Sequence, residues 1–400
     1  MSDEPSPPPT PARGRPRGRV IALGLVVLVL GFGVLAEVGA RIAWRFEGAI
    51  RGSLGATALD EWEEMSPDGR DTWYLKRDLT LTLGDLIDSK ILGGRTLAVS
   101  ELEERLANEP RETVYLRVNR DGFRGPEIDP AHSKPRIIMT GDSVTFGILA
   151  PESSPYPRVV EDELAAAGIA VEVVNAGIEG YGADQVLMRA DEFLALQPEI
   201  VTVLIGWNGI VTAPRPEPAW VRWMDDHLAS VRAVRRLPRL LASRAGTSSD
   251  WMTSARAATL DDPDLEILKD YRPRPTAAVR EFVGRMQREG VEVVLFTLPG
   301  LYVMDQPPTE RAMSFGFVTP WSNNPYVLAR ITEIYNEELR EVARETGAHL
   351  IDLDAWSRDA LVPRDAYFFD SVHLTDPGLR LMGQEIARQM APIVATLDRR

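Results

Sequence analysis

The sequence predicts an α/β fold: a three-layer α/β/α sandwich around a five-stranded parallel sheet. From residue 136 onwards, five short apolar runs rich in β-branched residues alternate with helical stretches. Runs of this length fit strands that are buried on both faces, and their alternation with helices is typical of a parallel sheet. The predicted strands are Arg136–Thr140, Val171–Asn175, Ile200–Ile205, Val291–Thr297 and His349–Leu353. The predicted helices are Pro157–Ala167, Ala183–Leu196, Ala277–Glu289, Tyr326–Thr346 and Leu379–Thr396.

Length and composition exclude several classes of function. The 400 residues suit one catalytic domain of roughly 250 residues with accessory segments. A net charge of −14 argues against a nucleic-acid partner, because phosphate binding needs clustered positive charge. The chain has no cysteine, which excludes disulfides, thiolate catalysis and cysteine-ligated zinc. The four histidines show no metal-binding spacing, so neither a metal ion nor another cofactor is expected.

The N-terminus predicts a single transmembrane anchor at residues 20–43. Residues 1–19 are rich in proline and arginine, and we expect them to form a disordered cytoplasmic tail. The following 17 residues, Val20–Ala36, carry no charge, and a span of about 20 residues crosses a bilayer. Glu37 and Arg41 lie four positions apart and are expected to pair on one helix face.

The remainder of the chain is expected outside the cytoplasm, in the periplasm or beyond the cell. The arginine-rich side of the span should stay in the cytoplasm by the positive-inside rule. A cleaved signal peptide is the alternative, because Val34 and Ala36 form a small-x-small site. With either an anchor or a cleaved signal peptide, the catalytic part is expected outside the cytoplasm.

Three further segments follow from the pattern: a juxtamembrane region at 44–130, a catalytic domain at 131–400, and a helical insertion within it at about 211–275. Asn119–Gly125 (NRDGFRG) is predicted to be a turn that uses the backbone freedom of its two glycines. The insertion contains Trp220, Trp223 and Trp251 among several arginines. We expect these tryptophans to pack the insertion onto the domain, whereas exposed tryptophans would favour a lipid interface.

Polar motifs follow the first three predicted strands, where open α/β sheets place their sites. The tripeptide Gly141-Asp142-Ser143 comes first and should expose a serine hydroxyl. Asn175–Gly180 (NAGIEG) follows the second strand, and its glycines let a backbone N–H approach a ligand. Gly206-Trp207-Asn208 follows the third, and its asparagine amide can donate to a developing oxyanion. Each motif alone also fits an ordinary turn.

A fourth motif, Asp370-Ser371-Val372-His373, lies just before the last helix. A nucleophilic serine needs a base, and histidine has a suitable pKa near neutrality. An aspartate three residues earlier can bind the imidazole N–H and fix its tautomer. His132, His227 and His349 lack such a motif and are interpreted as structural. The four motifs together, in this order, predict a serine hydrolase.

The set of motifs resembles the SGNH (GDSL) hydrolase superfamily, over about residues 115–395, and NRDGFRG is similar to the corresponding segment of bacterial membrane-anchored members. The resemblance implies the SGNH, flavodoxin-like fold. It implies Ser143 as nucleophile, His373 as base and Asp370 as the acid that orients it. It also implies an oxyanion hole formed by Ser143, Gly180 and Asn208. The third motif often continues with aspartate, whereas residue 209 here is glycine, so altered loop support is expected.

The expected reaction is hydrolysis of an acyl ester by a tethered enzyme outside the cytoplasm. The resemblance favours removal of O-acyl groups from carbohydrate. A lipid or lysophospholipid esterase, an O-acyltransferase and a non-catalytic glycan-binding module remain alternatives. Because the base must be neutral, activity is expected to fall below about pH 6.5.

Overall fold

A computed structural model of the chain describes residues 31–41, 62–66, 72–88, 108–212, 219–231, 234 and 253–397. The chain divides into two compact units. The larger comprises Thr57–Pro216 with Thr247–Arg400, and the smaller comprises Met1–Ala56 with Glu217–Gly246. The predicted tail at residues 1–19 lies outside the described residues.

A five-stranded parallel sheet forms the centre of the larger unit, as the sequence predicted. In chain order its strands are β5 (Arg136–Gly141), β6 (Glu172–Gly177), β7 (Ile200–Leu204), β9 (Glu292–Phe296) and β11 (His349–Ile351). Their order in the sheet is β11-β9-β7-β5-β6. Every residue of β5 and of β7 is buried, because helices cover both faces of a parallel sheet. Continuous apolar runs therefore identified these strands correctly.

Helices cover the sheet in two layers, which confirms the three-layer prediction. The chain moves one way from β5 to β6 and the opposite way through β7, β9 and β11. Right-handed crossovers then place the connecting helices on opposite faces. Consistently, one pair of helices packs together, and a second group of three packs together. The pair is Tyr156–Ala166 and Asp376–Val394, and the group is Ala183–Met188, Pro275–Arg288 and Pro325–Thr346.

The shorter helices and small sheets complete the larger unit. The remaining strands are β1 (Glu63–Met65), β2 (Trp73–Leu75), β3 (Leu79–Thr82), β4 (Val114–Val118), β8 (Thr253–Ser254) and β10 (Phe317–Val318). They form three antiparallel pairs, β1-β2, β3-β4 and β8-β10. The shorter helices are Leu83–Asp88, Ser143–Phe146, Ala190–Ala195, Trp207–Val211, Pro263–Ile267, Glu310–Phe315 and Leu353–Ala360.

The described residues between 62 and 130 share the core of the larger unit. Side chains of Trp62, Leu75, Tyr115 and Phe123 are buried in the same hydrophobic cluster as the central sheet. This part of the predicted juxtamembrane region, 44–130, is thus built into the same compact unit as the predicted catalytic domain, 131–400. Its strands are too short for a clear alternating pattern, which is why the sequence did not show the connection.

The smaller unit contains a helix at residues 31–41 and another at Ala219–His227. Trp220 and Trp223 on the second helix are 66% and 56% exposed. The expectation that the insertion's tryptophans pack onto the domain concerns contact between the two units and stays a prediction. Trp251 lies outside the described residues.

Glu37 joins the two segments of the smaller unit. Its carboxylate accepts the backbone N–H groups of Ala229 and Ser230, each at 2.9 Å, and the Ser230 hydroxyl at 2.8 Å. Arg41 Nε also donates to Glu37 at 2.8 Å, which confirms the predicted pairing. The acidic side chain inside the predicted span is thus fully hydrogen-bonded.

Among the parts of the chain that the structure describes, no helix is both long and apolar enough to cross a bilayer. Of the predicted anchor at 20–43, only residues 31–41 are described. They are helical, and they expose Phe32, Val34, Leu35 and Val38. The transmembrane anchor stays a prediction.

Candidate active site

Ser143 lies at the carboxyl edge of the central sheet, directly after β5. The strand ends at Gly141, and a one-turn helix begins at Ser143. A Cβ atom on Gly141 would lie 2.0 Å from the Thr145 hydroxyl oxygen and 2.4 Å from the Leu204 carbonyl oxygen. Only glycine fits this turn, and the turn places the serine where open α/β sheets bind their ligands.

Asp142 caps the helix that carries Ser143. Its Oδ1 accepts the Val144 N–H at 3.1 Å, which satisfies one free donor of the first turn. The side chain is fully buried. Burial raises the pKa of the Asp142 carboxyl to about 6, although the Val144 N–H and the charge of His373 favour the ionised form.

Ser143, His373 and Asp370 form a continuous hydrogen-bonded chain. His373 Nε2 lies 2.6 Å from Ser143 Oγ, although 230 positions separate them in sequence. His373 Nδ1 lies 2.6 Å from Asp370 Oδ2. A carboxylate at Nδ1 keeps the proton there, and the unprotonated Nε2 then faces the serine hydroxyl. The structure therefore brings the predicted nucleophile, base and acid together.

Asp370 is held in the ionised state by its neighbours. Burial opposes ionisation of this carboxyl. The charge of His373, together with hydrogen bonds from His373 and from the Val372 N–H, outweighs burial and lowers the pKa of Asp370 below its ordinary value. The acid is therefore charged wherever the protein is folded near neutral pH.

Ser371 fixes the loop that carries His373. Its hydroxyl accepts the Phe317 N–H at 2.8 Å and donates to the Phe317 carbonyl oxygen at 2.5 Å. Its own carbonyl accepts the Leu301 N–H at 3.0 Å. The ring of Phe369 stacks on that of His373, with centroids 5.5 Å apart. Strand β10 thus holds the loop through Ser371, and the Phe369 ring packs on the imidazole.

Gly180 and Asn208 lie at the same edge of the sheet as Ser143. Gly180 is in the loop after β6, and Asn208 is in the short helix Trp207–Val211 after β7; β6 and β7 flank β5. Gly180 is exposed and has φ +76°, a left-handed conformation that favours glycine. Asn208 Nδ2 donates one hydrogen bond to the Tyr181 carbonyl oxygen at 2.9 Å. An amide carries two N–H groups, so the second is available to a ligand.

Two residues that contact these segments, Trp73 and Tyr181, were not predicted from the sequence to belong to the site. The Trp73 indole N–H donates to the Glu179 carbonyl oxygen at 3.1 Å. The Tyr181 hydroxyl donates to the Trp73 carbonyl oxygen. Tyr181 directly follows the Asn175–Gly180 motif, but no motif surrounds Trp73, and only the folded chain brings β2 to the loop after β6.

The NRDGFRG segment is a turn, as predicted, with φ +86° at Gly122 and +120° at Gly125. Its Arg124 is 5% exposed and donates to the carbonyl oxygens of Phe146, Gly147, Tyr115 and Ala150, at 2.6–2.9 Å. The first two carbonyls end the short helix that starts at Ser143. The turn therefore holds the end of the helix that begins at Ser143.

The glycine at position 209 has a steric reason. A Cβ atom there would lie 2.5 Å from Pro275 Cγ, so the helix that begins at Pro275 occupies the space of a side chain.

Two of the histidines that were interpreted as structural have acidic neighbours: His132 lies 3.3 Å from Glu199, and His349 lies 3.6 Å from Glu292. Their structural interpretation agrees with these contacts.

Comparison with known families decides the classification. The model of the GDSL-like lipase/acylhydrolase family matches residues 139–381, more than half of the chain. The chain belongs to the GDSL-like lipase/acylhydrolase family. It is a GDSL-type serine hydrolase, as the motifs predicted. The matched region contains every predicted site residue: Ser143, Gly180, Asn208, Asp370 and His373.

Similar solved structures are distant from this GDSL-type hydrolase. An acetylxylan esterase from Geobacillus stearothermophilus is 18% identical, with a TM-score of 0.39 and coverage of 64% of this chain and 94% of its own. An α/β hydrolase from the metagenome of Lake Arreo, Spain, is 16% identical, with a TM-score of 0.38 and the same coverage. No curated protein matches the chain. Similarity of this degree carries no inference about the substrate.

Proposed function

We propose that the protein is a membrane-anchored serine esterase outside the cytoplasm that removes O-acyl groups from carbohydrate. The observation that carries the esterase activity is the chain of two 2.6 Å hydrogen bonds from Ser143 through His373 to Asp370. It joins a hydroxyl, an imidazole and a carboxylate in the order that nucleophilic acyl transfer needs.

In this reaction the Ser143 oxygen attacks the ester carbonyl carbon while His373 Nε2 takes the hydroxyl proton. Asp370 stabilises the imidazolium that forms. The tetrahedral intermediate collapses, and His373 returns the proton to the departing alcohol oxygen. Water, activated by the same imidazole, then attacks the acyl-enzyme and releases the carboxylic acid and free Ser143.

The negative charge on the carbonyl oxygen needs donors fixed before the reaction begins. We assign this role to the backbone N–H groups of Ser143 and Gly180 and to the free amide N–H of Asn208. Three segments that leave one edge of the sheet would thus supply the oxyanion hole.

The carbohydrate ester is proposed from the resemblance to exported, tethered SGNH enzymes that remove O-acetyl groups from polysaccharides. The anchor is proposed from the uncharged segment Val20–Ala36. The hydrogen bonds of Glu37 support it, because a charged group near the end of a span is tolerated when its oxygens are satisfied.

A lipid or lysophospholipid ester is the second candidate substrate. The observation that favours it is the exposure of Trp220 and Trp223, since tryptophan is the side chain that prefers the membrane–water interface. The helix that carries them lies in the same compact unit as the proposed anchor.

Turnover by the purified full chain separates the two substrates. We expect acetate release from an acetylated oligosaccharide to exceed hydrolysis of a long-chain lysophospholipid, and Ser143→Ala to abolish both. A preference for the lysophospholipid would replace the carbohydrate assignment with the lipid one. Transfer of the acyl group to an added sugar, in place of release, would identify a transferase.

Cell fractionation tests the location. The full chain should stay with the membrane after an alkaline carbonate wash, and protease added from outside the cytoplasm should digest the catalytic unit. Recovery of the chain in the cytoplasmic fraction would contradict both the anchor and the export.

A further inference from the structure

Trp73 forms a hydrogen bond with the peptide unit between Glu179 and Gly180. Its indole N–H donates to the carbonyl oxygen of Glu179 at 3.1 Å. That carbonyl and the N–H of Gly180 belong to the same planar trans peptide, in which they point in opposite directions. Because the peptide is planar, the hydrogen bond that orients the Glu179 carbonyl also orients the Gly180 N–H, which is the donor assigned to the oxyanion.

The ring of Trp73 also packs against Gly180 itself. A Cβ atom on this glycine would lie 3.0 Å from Trp73 Cζ2. The indole therefore covers one side of a glycine, which has no Cβ atom to restrict its backbone. A hydrogen bond and a steric contact together restrict rotation of the peptide between Glu179 and Gly180.

Tyr181 connects the same strand to the other assigned donor. Its hydroxyl donates to the Trp73 carbonyl oxygen and accepts from the Thr72 hydroxyl at 3.1 Å. Its ring meets Trp73 edge to face, with centroids 5.4 Å apart. Its own carbonyl oxygen accepts the Asn208 amide at 2.9 Å. Residues 72 and 73 thus support both the Gly180 and the Asn208 donors.

We propose that Trp73 is a positioning residue of the oxyanion hole. The inference rests on the proposed esterase function and adds a residue from outside the region that matches the family. Because the donor must be oriented before charge develops, its orientation contributes to the transition state and little to substrate binding. A hydrogen bond at the carbonyl also polarises the peptide and strengthens its N–H as a donor.

The test compares Trp73→Phe with a matched control, Trp62→Phe. Phenylalanine keeps a ring against Gly180 and Tyr181 but cannot donate to Glu179. Trp62 is buried in the larger unit and Trp73 is half-buried, and among the described residues the Trp62 indole nitrogen has no hydrogen-bond partner. With p-nitrophenyl acetate, we expect kcat of Trp73→Phe to fall about 10-fold or more, with KM within about twofold, and Trp62→Phe to keep its kcat within about threefold.

A tetrahedral inhibitor provides the second readout. A small boronic acid forms a tetrahedral adduct with an active serine, so its inhibition constant should rise in parallel with the loss of kcat. A purely structural role of Trp73 would lower the midpoint of thermal unfolding without this parallel change. Wild-type kcat and wild-type boronic acid inhibition in Trp73→Phe would overturn the proposal.

Two further variants keep the result interpretable. Tyr181→Phe removes only the hydroxyl that binds the Trp73 carbonyl, and we expect a smaller loss of kcat in the same direction. Should Trp73→Phe fail to fold, unchanged kcat and inhibition in Tyr181→Phe would overturn the proposal instead. Full activity of Ser143→Ala would show that the proposed function itself is wrong, independently of Trp73.

Discussion

Asp370 binds His373 twice, through Oδ2 to the ring Nδ1 at 2.6 Å and through Oδ1 to the backbone N–H at 2.7 Å. One carboxylate therefore fixes both the tautomer of the imidazole and the turn that presents it. A compact turn of this kind is possible because only three positions separate the two residues.

Asp370→Asn should lower kcat by about 10⁴-fold. An asparagine amide can replace the shape of the carboxylate but not its charge, and it permits the wrong tautomer of His373. Steady-state turnover of p-nitrophenyl acetate measures the loss, and an unchanged thermal unfolding midpoint would show that the fold is retained. A loss below tenfold would contradict the assignment of Asp370.

Asn208→Ala should lower kcat by about 10²–10³-fold with little change in KM. The variant removes the free N–H assigned to the oxyanion and also the bond to the Tyr181 carbonyl. Separate measurement of kcat and KM distinguishes a role in the transition state from a role in substrate binding. A rise in KM at constant kcat would indicate a role in substrate binding instead.

Asp142→Asn should change the pH dependence of stability. Because burial raises the pKa of Asp142 to about 6 from 3.8, the proton bound in the folded state stabilises the protein below about pH 4. That contribution is lost as pH rises through about 6. Asparagine caps a helix as well as aspartate and has no charge to bury.

Urea unfolding between about pH 4 and pH 7 measures this effect. The free energy of unfolding of Asp142→Asn, relative to the wild type, should increase across the interval by roughly 3 kcal/mol at most and stay constant above it. A difference that does not depend on pH would contradict an Asp142 titration in this range.

Arg124→Lys should destabilise the protein by about 3 kcal/mol. Lysine keeps the charge but cannot reach the four carbonyl oxygens that the buried guanidinium satisfies. Arg120→Lys in the same turn is the matched control, since the Arg120 side chain is 69% exposed and forms its ion pair with Glu127 at the surface. The free energy of unfolding of Arg120→Lys should change by less than about 0.5 kcal/mol. Equal losses of stability in the two variants would contradict the claim that the buried Arg124 guanidinium stabilises the fold through these four carbonyl oxygens.

The central sheet and the triad could be predicted from sequence for a physical reason. A strand buried on both faces must be continuously apolar, and the residues that follow such strands meet at one edge of a parallel sheet. Ser143 and His373 were therefore expected to be neighbours because of where their motifs lie relative to predicted elements, and they are.

The residues that position the loops of the site, such as Trp73 and Arg124, could not be predicted in this way. Trp73 and Glu179 are 106 positions apart, and neither lies in a pattern that indicates the other. Arg124 was assigned only to a turn, because a sequence does not show which carbonyls an arginine will bind. The exposure of Trp220 and Trp223 depends on how the insertion packs, which its composition left open.

The measurement that tests the account most directly is fluorophosphonate labelling of the purified full chain, paired with ester turnover, for the wild type, Ser143→Ala and His373→Ala. The wild type should be labelled at Ser143, and each variant should lose labelling together with about 10⁴-fold or more of its turnover. Labelling or undiminished turnover in Ser143→Ala would contradict the claim that this hydroxyl is the nucleophile.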